Sequence, residues 1–299
     1  MVYFNESNSI ECDSDVPFAS HDSKESAACD IQVPPPVLDT DLANAFDEAG
    51  EEYDDFIALG ELDENLTDTV PTPQVVELLQ APHWFAEYFS PPRIAPVVHR
   101  RGRNALLSLD LQTGWNFHDA SNRQTGLDAL TRLAILWLGL SPPCTVFSDL
   151  QRLFNIKRID PAVWQSRWVA GVRLVLFAMA CARRQIDEGR YFFFEHPARA
   201  TSWKLDEVQA IAQVESVHVI EFDMCRFGLR SKVGDVPMRK RTKIMTNSKS
   251  LANLLSNRFC DGCQVHQCIM GNEGGMSRAV WAQHYPAGLV DAIARVVCS

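Results

Sequence analysis

RLAILWLGLSPPCTVFS, residues 132–148, is the stretch on which the fold turns. RLAILWLGL (132–140) is a long apolar run that stops at Ser141-Pro142-Pro143-Cys144. An apolar run that ends at turn residues reads as a strand buried on both faces. The two prolines remove two N–H donors and restrict the backbone, so Cys144 projects rigidly from a strand end. Upstream, WFAEYFS (84–90) reads as a second buried strand, closed by the turn Pro91-Pro92 and followed by a helix through IAPVVHRRG (94–102). ALLSLDL (105–111) reads as another strand. Downstream, residues 162–186 are apolar at helical spacing and predict a long, well-buried helix. YFFFE (191–195) is an aromatic strand that His196-Pro197 is expected to stop, and LDEVQAIAQ (205–213) is a helix. VHVIEFD (217–223) and RTKIMTN (241–247) read as strands, and AGLVDAIARVV (287–297) as a closing amphipathic helix. Strands alternating with helices predict an α/β fold with a doubly wound, mostly parallel sheet and helices on both faces. No internal repeat is visible.

Composition sets the frame. A chain of 299 residues has room for one large α/β domain and a tail. No apolar run reaches the roughly 18 residues that span a membrane. The opening MVYFNESNSIECDSD is polar and acidic, unlike a secretory signal. With nine irregularly spaced cysteines, this favours an intracellular protein whose thiols are reduced, metal-bound or catalytic. The net charge of −10 hides a split. Residues 1–80 carry 20 of the 38 acidic side chains and one of the 28 basic ones, Lys24, which leaves residues 81–299 with 18 acidic and 27 basic. A basic body suits a polyanion such as nucleic acid; the plainer reading is a solvated cationic surface. The segment 1–80 is expected to be an acidic, largely disordered tail. Its patches DLANAFDEAG and EEYDDFIALGEL mix acids with apolar residues, which fits a protein partner, self-shielding of the basic body, or a solubilising leader.

In an open parallel sheet, ligands bind beyond the carboxyl ends of the strands. The FSPPR loop (89–93), Asp110, the SPPC loop (141–144), Glu195 with His196, and Asp223 with Cys225 all fall at such ends. Cys144 reads as a nucleophile, against the alternative of an inert buried thiol. Glu195 is expected in apolar surroundings that would keep it protonated, against the alternative of a helix cap. Asp110 stands where an acid accepts hydrogen bonds from ribose hydroxyls, against the alternative of a turn residue. CDGCQVHQC (260–268) offers Cys260, Cys263, His266 and Cys268 as zinc ligands, with Cys225 as a substitute for one of them. The alternative there is reduced cysteines beside a surface histidine.

SPPCTVFS (141–148), FFFEHP (192–197), GDVPMRKRTKIMTN (234–247) and YPAGLVDAIARVV (285–297) together resemble the cytosine-5 DNA methyltransferases in order and spacing. The likeness is greatest to a divergent branch associated with mobile-element polyproteins, in which FSPPR, DLxTGWDF, SPPCTxFSxLQ, FEHPxxAxSW and KxTxxxTN recur. Here these are Phe89–Arg93, Asp110–Phe117, Ser141–Gln151, Phe194–Trp203 and Lys240–Asn247, and the resemblance covers residues 83–299. It implies a Rossmann-like, S-adenosylmethionine-dependent methyltransferase acting on DNA, with RNA left open and a nuclear location in a eukaryote. It implies that Cys144 attacks carbon 6 of a flipped cytosine while Glu195 serves nitrogen 3. By position, Phe89, Ser90, Pro91, Asp110, Trp115, Asn116, Ser141, Pro142 and Pro143 would hold the cofactor. Arg152, Arg239, Lys240 and Arg241 would contact phosphates.

The departures are specific. FSPPR replaces the family's Gly-rich loop, and Glu195-His196-Pro197 replaces Glu-Asn-Val. Val236-Pro237-Met238 replaces Val-Pro-Gln, and Lys240 and Thr242 stand where two arginines are usual. Only about 40 residues separate Asn247 from the last helix, so the segment that would read DNA is much reduced. Two rival readings stay open. One is a catalytically decayed nucleic-acid-binding domain of a mobile element. The other is an amino-methyltransferase, whose Pro-Pro-aromatic loop stacks on the base; Cys144 occupies that aromatic position here, and nearby Phe147 keeps the reading open.

Overall fold

The computed structural model describes residues 84–105, 107–148, 158–262 and 265–299. The tail 1–80, Arg152 and Cys263 lie outside them. Among the described residues six strands form one sheet: β1 (Phe85–Tyr88), β2 (Leu107–Leu109), β3 (Trp137–Leu140), β4 (Tyr191–Pro197), β5 (His218–Asp223) and β6 (Arg241–Thr246). Their order is β2-β1-β3-β4-β6-β5. β2, β1, β3 and β4 are mutually parallel, and β6 runs antiparallel between β4 and β5. The fold is therefore mixed α/β with a mostly parallel sheet, as expected.

Alternation along each strand builds two cores. Ala86, Tyr88, Leu138, Leu140, Phe192, Phe194 and Met245 face one side. Phe85, Trp137, Phe193 and Ile244 face the other. Neither face of these strands is left to water, which is why they read as continuous apolar runs. Phe192, Phe193 and Phe194 are all fully buried, and each contributes roughly 1.5–3 kcal/mol by leaving water. Gly139 makes room for this packing, because a Cβ there would lie 2.6 Å from the Phe193 ring.

Helices cover both faces. The first core takes α2 (Ala120–Arg132), α3 (Pro161–Asp187) and α4 (Asp206–Ala212). The second takes α1 (Ala95–Arg100), α5 (Lys249–Leu255) and α7 (Ala287–Cys298). A hairpin of β7 (Asn272–Glu273) and β8 (Met276–Ser277) leads into the short α6 (Arg278–Trp281). α3 begins at Pro161 with Asp160 as its cap, whose side chain accepts from the amides of Ala162 and Val163. Gly171 on α3 lets Val146 of the SPPC segment pack close, since a Cβ there would meet it at 2.5 Å.

Three features differ from expectation. α2 and α5 are helices that hydropathy did not reveal. α2 buries Gly126, Leu127, Leu130 and a guanidinium, Arg123, which donates to the Phe117 carbonyl, so its inward face is half polar in sequence. β4 is not stopped by His196-Pro197: it stays paired with β6 through Pro197, opposite Thr242. The missing proline N–H breaks nothing at the last residue of a strand. No described helix is long and apolar enough to cross a membrane.

Candidate active site

The chain leaves β1 outward to β2 and then returns across β1 to β3, so the crossovers diverge between β1 and β3. Ligands of open sheets sit at such a point, beyond the carboxyl ends. Phe89–Pro91 follows β1 and Ser141–Cys144 follows β3; Ser141 still donates its N–H to the Tyr88 carbonyl at 3.2 Å. Phe89 has φ 61°, the left-handed region that usually calls for glycine. The strained turn opens the FSPPR segment. It is held because the Phe89 ring packs on Phe117 and Phe177, at 4.8 and 5.9 Å between centroids.

β3 and β4 bring Cys144 and Glu195 to one site, which sequence separation alone did not require. Glu195 is buried, and Lys240 places its ammonium nitrogen 3.6 Å from Oε1. Tyr285 donates its hydroxyl to Oε2 at 3.3 Å and bonds Ser141 Oγ at 2.7 Å. The expected apolar surroundings are thus corrected: a cation and a phenol face this carboxylate. Oε1 itself has no hydrogen-bond partner. Burial pushes the Cys144 thiol up from its ordinary pKa, Lys240 pulls it down, and Glu195 adds to the rise. Burial raises the Tyr285 hydroxyl well above the usual phenol range, so it remains a donor.

His196 is held at both ring nitrogens. Its Nε2 lies 2.9 Å from the Pro142 carbonyl and its Nδ1 lies 2.6 Å from Ser202 Oγ. A carbonyl only accepts, so Nε2 carries the proton and Ser202 donates to Nδ1. Burial lowers the imidazole to about 4, although the Pro142 carbonyl opposes this. The neutral ring pins the SPPC loop to β4 and so fixes Cys144 relative to Glu195.

A cleft of about 710 Å³ opens beside these groups, lined by Cys144, Arg199, Arg239, Lys240, Ile269 and Gln283 among others. Of the four basic residues proposed for phosphate, Arg152 lies outside the described residues and the other three have different fates. Lys240 turns inward to Glu195. Arg241 makes a paired contact with Asp223, Nε to Oδ1 at 3.0 Å and Nη2 to Oδ2 at 2.9 Å. Arg239 is 43% exposed, 3.8 Å from Asp223, and stays nearest to the assigned role. Burial would raise the Asp223 carboxyl, but Arg241, the Cys260 amide and Arg239 outweigh it and hold it below the usual range. Phe147 is buried against Trp168 and His196, so it has no face for a base. That removes the residue on which the amino-methyltransferase reading leaned.

Among the residues assigned to S-adenosylmethionine, Asp110 caps the turn after β2, accepting from the Gln112 amide, which is the turn role given as its alternative; Trp115 packs partly buried near Phe117 and Asn116 is exposed beside it. The loop after β1 carries a different donor set. Glu87, buried on β1, accepts from the backbone amides of Arg93, Ile94 and Ala95, the amides that would otherwise cradle an anion at the start of α1. Burial raises the Glu87 carboxyl despite those bonds. Pro91 is partly buried, whereas Ser90 is buried and its carbonyl accepts from Ser108 Oγ, so this loop is held by β2. Glu87 and Tyr285 were not singled out from sequence. An acid inside an apolar strand was the only available signal for Glu87, and for Tyr285 there was none.

Cys225, Cys260 and His266 come together, with their ligand atoms all within 4.8 Å of one another. Cys268, expected as a ligand, is not in this group; its carbonyl accepts from Arg278. A nine-residue loop cannot close all its donors on one point, and Cys225 from the end of β5 takes the place.

No family model, curated protein or solved structure matches this chain.

Proposed function

We propose that residues 81–299 form a methyltransferase acting on carbon 5 of cytosine in DNA through a covalent Cys144 adduct. One observation carries the reading: a thiol on the loop after β3 and a buried carboxylate on β4 share the field of one ammonium, Lys240, beside a cleft with a basic rim. Bound beyond β1 and β2 by Phe89, Ser90, Pro91, Asp110, Trp115, Asn116 and Ser141–Pro143, S-adenosylmethionine would supply an electrophilic methyl group to the flipped base.

The chain's own groups do the rest. A cytosine turned out of the duplex fits the cleft edgewise, with carbon 6 toward Cys144 Sγ. The thiol adds across the conjugated ring: sulfur bonds to carbon 6 and its proton ends on nitrogen 3, relayed by Glu195. Lys240 supports the thiolate as it forms, offsetting the cost of burial. Oε1 of Glu195, ion-paired with Lys240 but without a hydrogen bond, is the oxygen that would serve the ring edge, while Tyr285, itself bonded to Ser141, holds Oε2. Carbon 5 then has carbanion character. After substitution at carbon 5 a base removes its proton, the Cys144 thiolate leaves carbon 6, and the nitrogen 3 proton returns through Glu195 to the sulfur, restoring the neutral aromatic base.

The test is a DNA duplex carrying 5-fluorocytosine, incubated with S-adenosylmethionine and run on a denaturing gel. Fluorine cannot leave as a proton, so turnover stalls with the thiol attached. The expected result is an adduct that Cys144→Ser abolishes and Cys181→Ser retains. Absence of any adduct, with the cofactor shown by calorimetry to bind, returns the domain to a decayed nucleic-acid-binding role.

A further inference from the structure

Three stretches distant in sequence converge away from the Cys144–Glu195 pair. Cys225 lies in the 3-10 turn Met224–Phe227 that follows β5. Cys260 follows α5, and its amide donates to Asp223 Oδ2 at 2.8 Å. His266 lies beside Gln267, whose N–H donates to the Pro237 carbonyl at 2.8 Å and which bridges to Met238. Cys260 Sγ and His266 Nε2 are 3.3 Å apart. Tetrahedral zinc, with bonds of about 2.3 Å to sulfur and about 2.0 Å to nitrogen, sets its ligand atoms about 3.5 Å from one another. The three donors border a pocket of about 210 Å³ that Leu229 and Pro237 also line.

We propose that Cys225, Cys260 and His266 bind a structural zinc ion, which clasps the end of β5 to the segments around residues 260 and 266. Two soft thiolates and an imidazole select zinc over hard cations. The clasp bears on the catalytic cleft. Asp223 accepts from Cys260 and also holds Arg241 and Arg239, while Met238, paired with Gln267, precedes Arg239 and Lys240. The ion therefore fixes the wall of the cleft without touching a substrate. It would also stiffen the short stretch between α5 and the β7–β8 hairpin.

The experiment measures metal in the full chain, so it does not depend on methyl transfer. Purified without chelator, the protein is expected to carry one zinc per chain by mass spectrometry. Cys225→Ser and His266→Ala are each expected to lose it, while Cys298→Ser keeps it. Because a ligand variant can fail to fold, cobalt is also titrated into chelator-stripped wild-type protein. Tetrahedral d–d bands with thiolate charge transfer, bleached by zinc, support the site. Wild-type protein that holds no zinc and gives no such spectrum overturns it, as does a folded Cys225→Ser chain with undiminished zinc.

Discussion

At the scale of single residues, His196 links two segments of the site through both ring nitrogens. A neutral imidazole between Ser202 and the Pro142 carbonyl ties the cysteine loop to the glutamate strand. Its pKa falls from 6.5 in the unfolded chain to about 4 in the fold. The unfolded chain therefore takes up a proton first as pH falls. The imidazole costs no stability above pH 6.5, and the cost grows between 6.5 and 4, reaching about 3 kcal/mol. Urea midpoints at pH 7, 5.5 and 4.5 are expected to fall more steeply for wild type than for His196→Gln. Parallel slopes would show that the ring takes its proton within the fold.

At the scale of elements, the last helix docks by backbone contact. Gly288, near the start of α7, lies so close to the turn after β5 that a Cβ would sit 2.5 Å from the Phe227 carbonyl oxygen. Alanine is ordinarily the better helix former, by up to about 1 kcal/mol. Here the clash is with backbone rather than a flexible side chain, so Gly288→Ala is expected to destabilise by about 1–3 kcal/mol. A urea midpoint at or above that of wild type would mean that α7 can shift without loss. The docking matters for the site because Tyr285, immediately before α7, reaches both Ser141 and Glu195.

At the scale of the molecule, the basic excess of residues 81–299 is only partly available to a polyanion. Lys240 and Arg241 are engaged with carboxylates, and Arg239, paired more loosely with Asp223 at 3.8 Å, is the most exposed of the trio. Arg239→Ala is expected to weaken duplex binding at low salt and to reduce the slope of log affinity against log salt by about 1. An unchanged slope would place the phosphate contact elsewhere on the cleft.

The sequence by itself determined the alternation of strands and helices, and it marked Cys144 as lying just beyond a strand; Glu195, expected to end its strand, lies inside β4, which runs on to Pro197. Apolar runs such as YFFFE are legible because both faces of a central strand are buried, so every position reports the core. α2 was not legible, because its buried face is built from a glycine, two leucines and an arginine that bonds the Phe117 carbonyl rather than a continuous stripe. Tertiary structure alone decided that β6 enters antiparallel between β4 and β5, which sets Lys240, just before that strand, beside Glu195 on its neighbour. It alone decided that Glu87 fills the start of α1, that Tyr285 reaches the site, and that Cys225 rather than Cys268 joins Cys260 and His266. Local pattern reports which side of an element is buried. Which distant side chains meet depends on strand order and loop path, and those follow from packing the whole sheet at once.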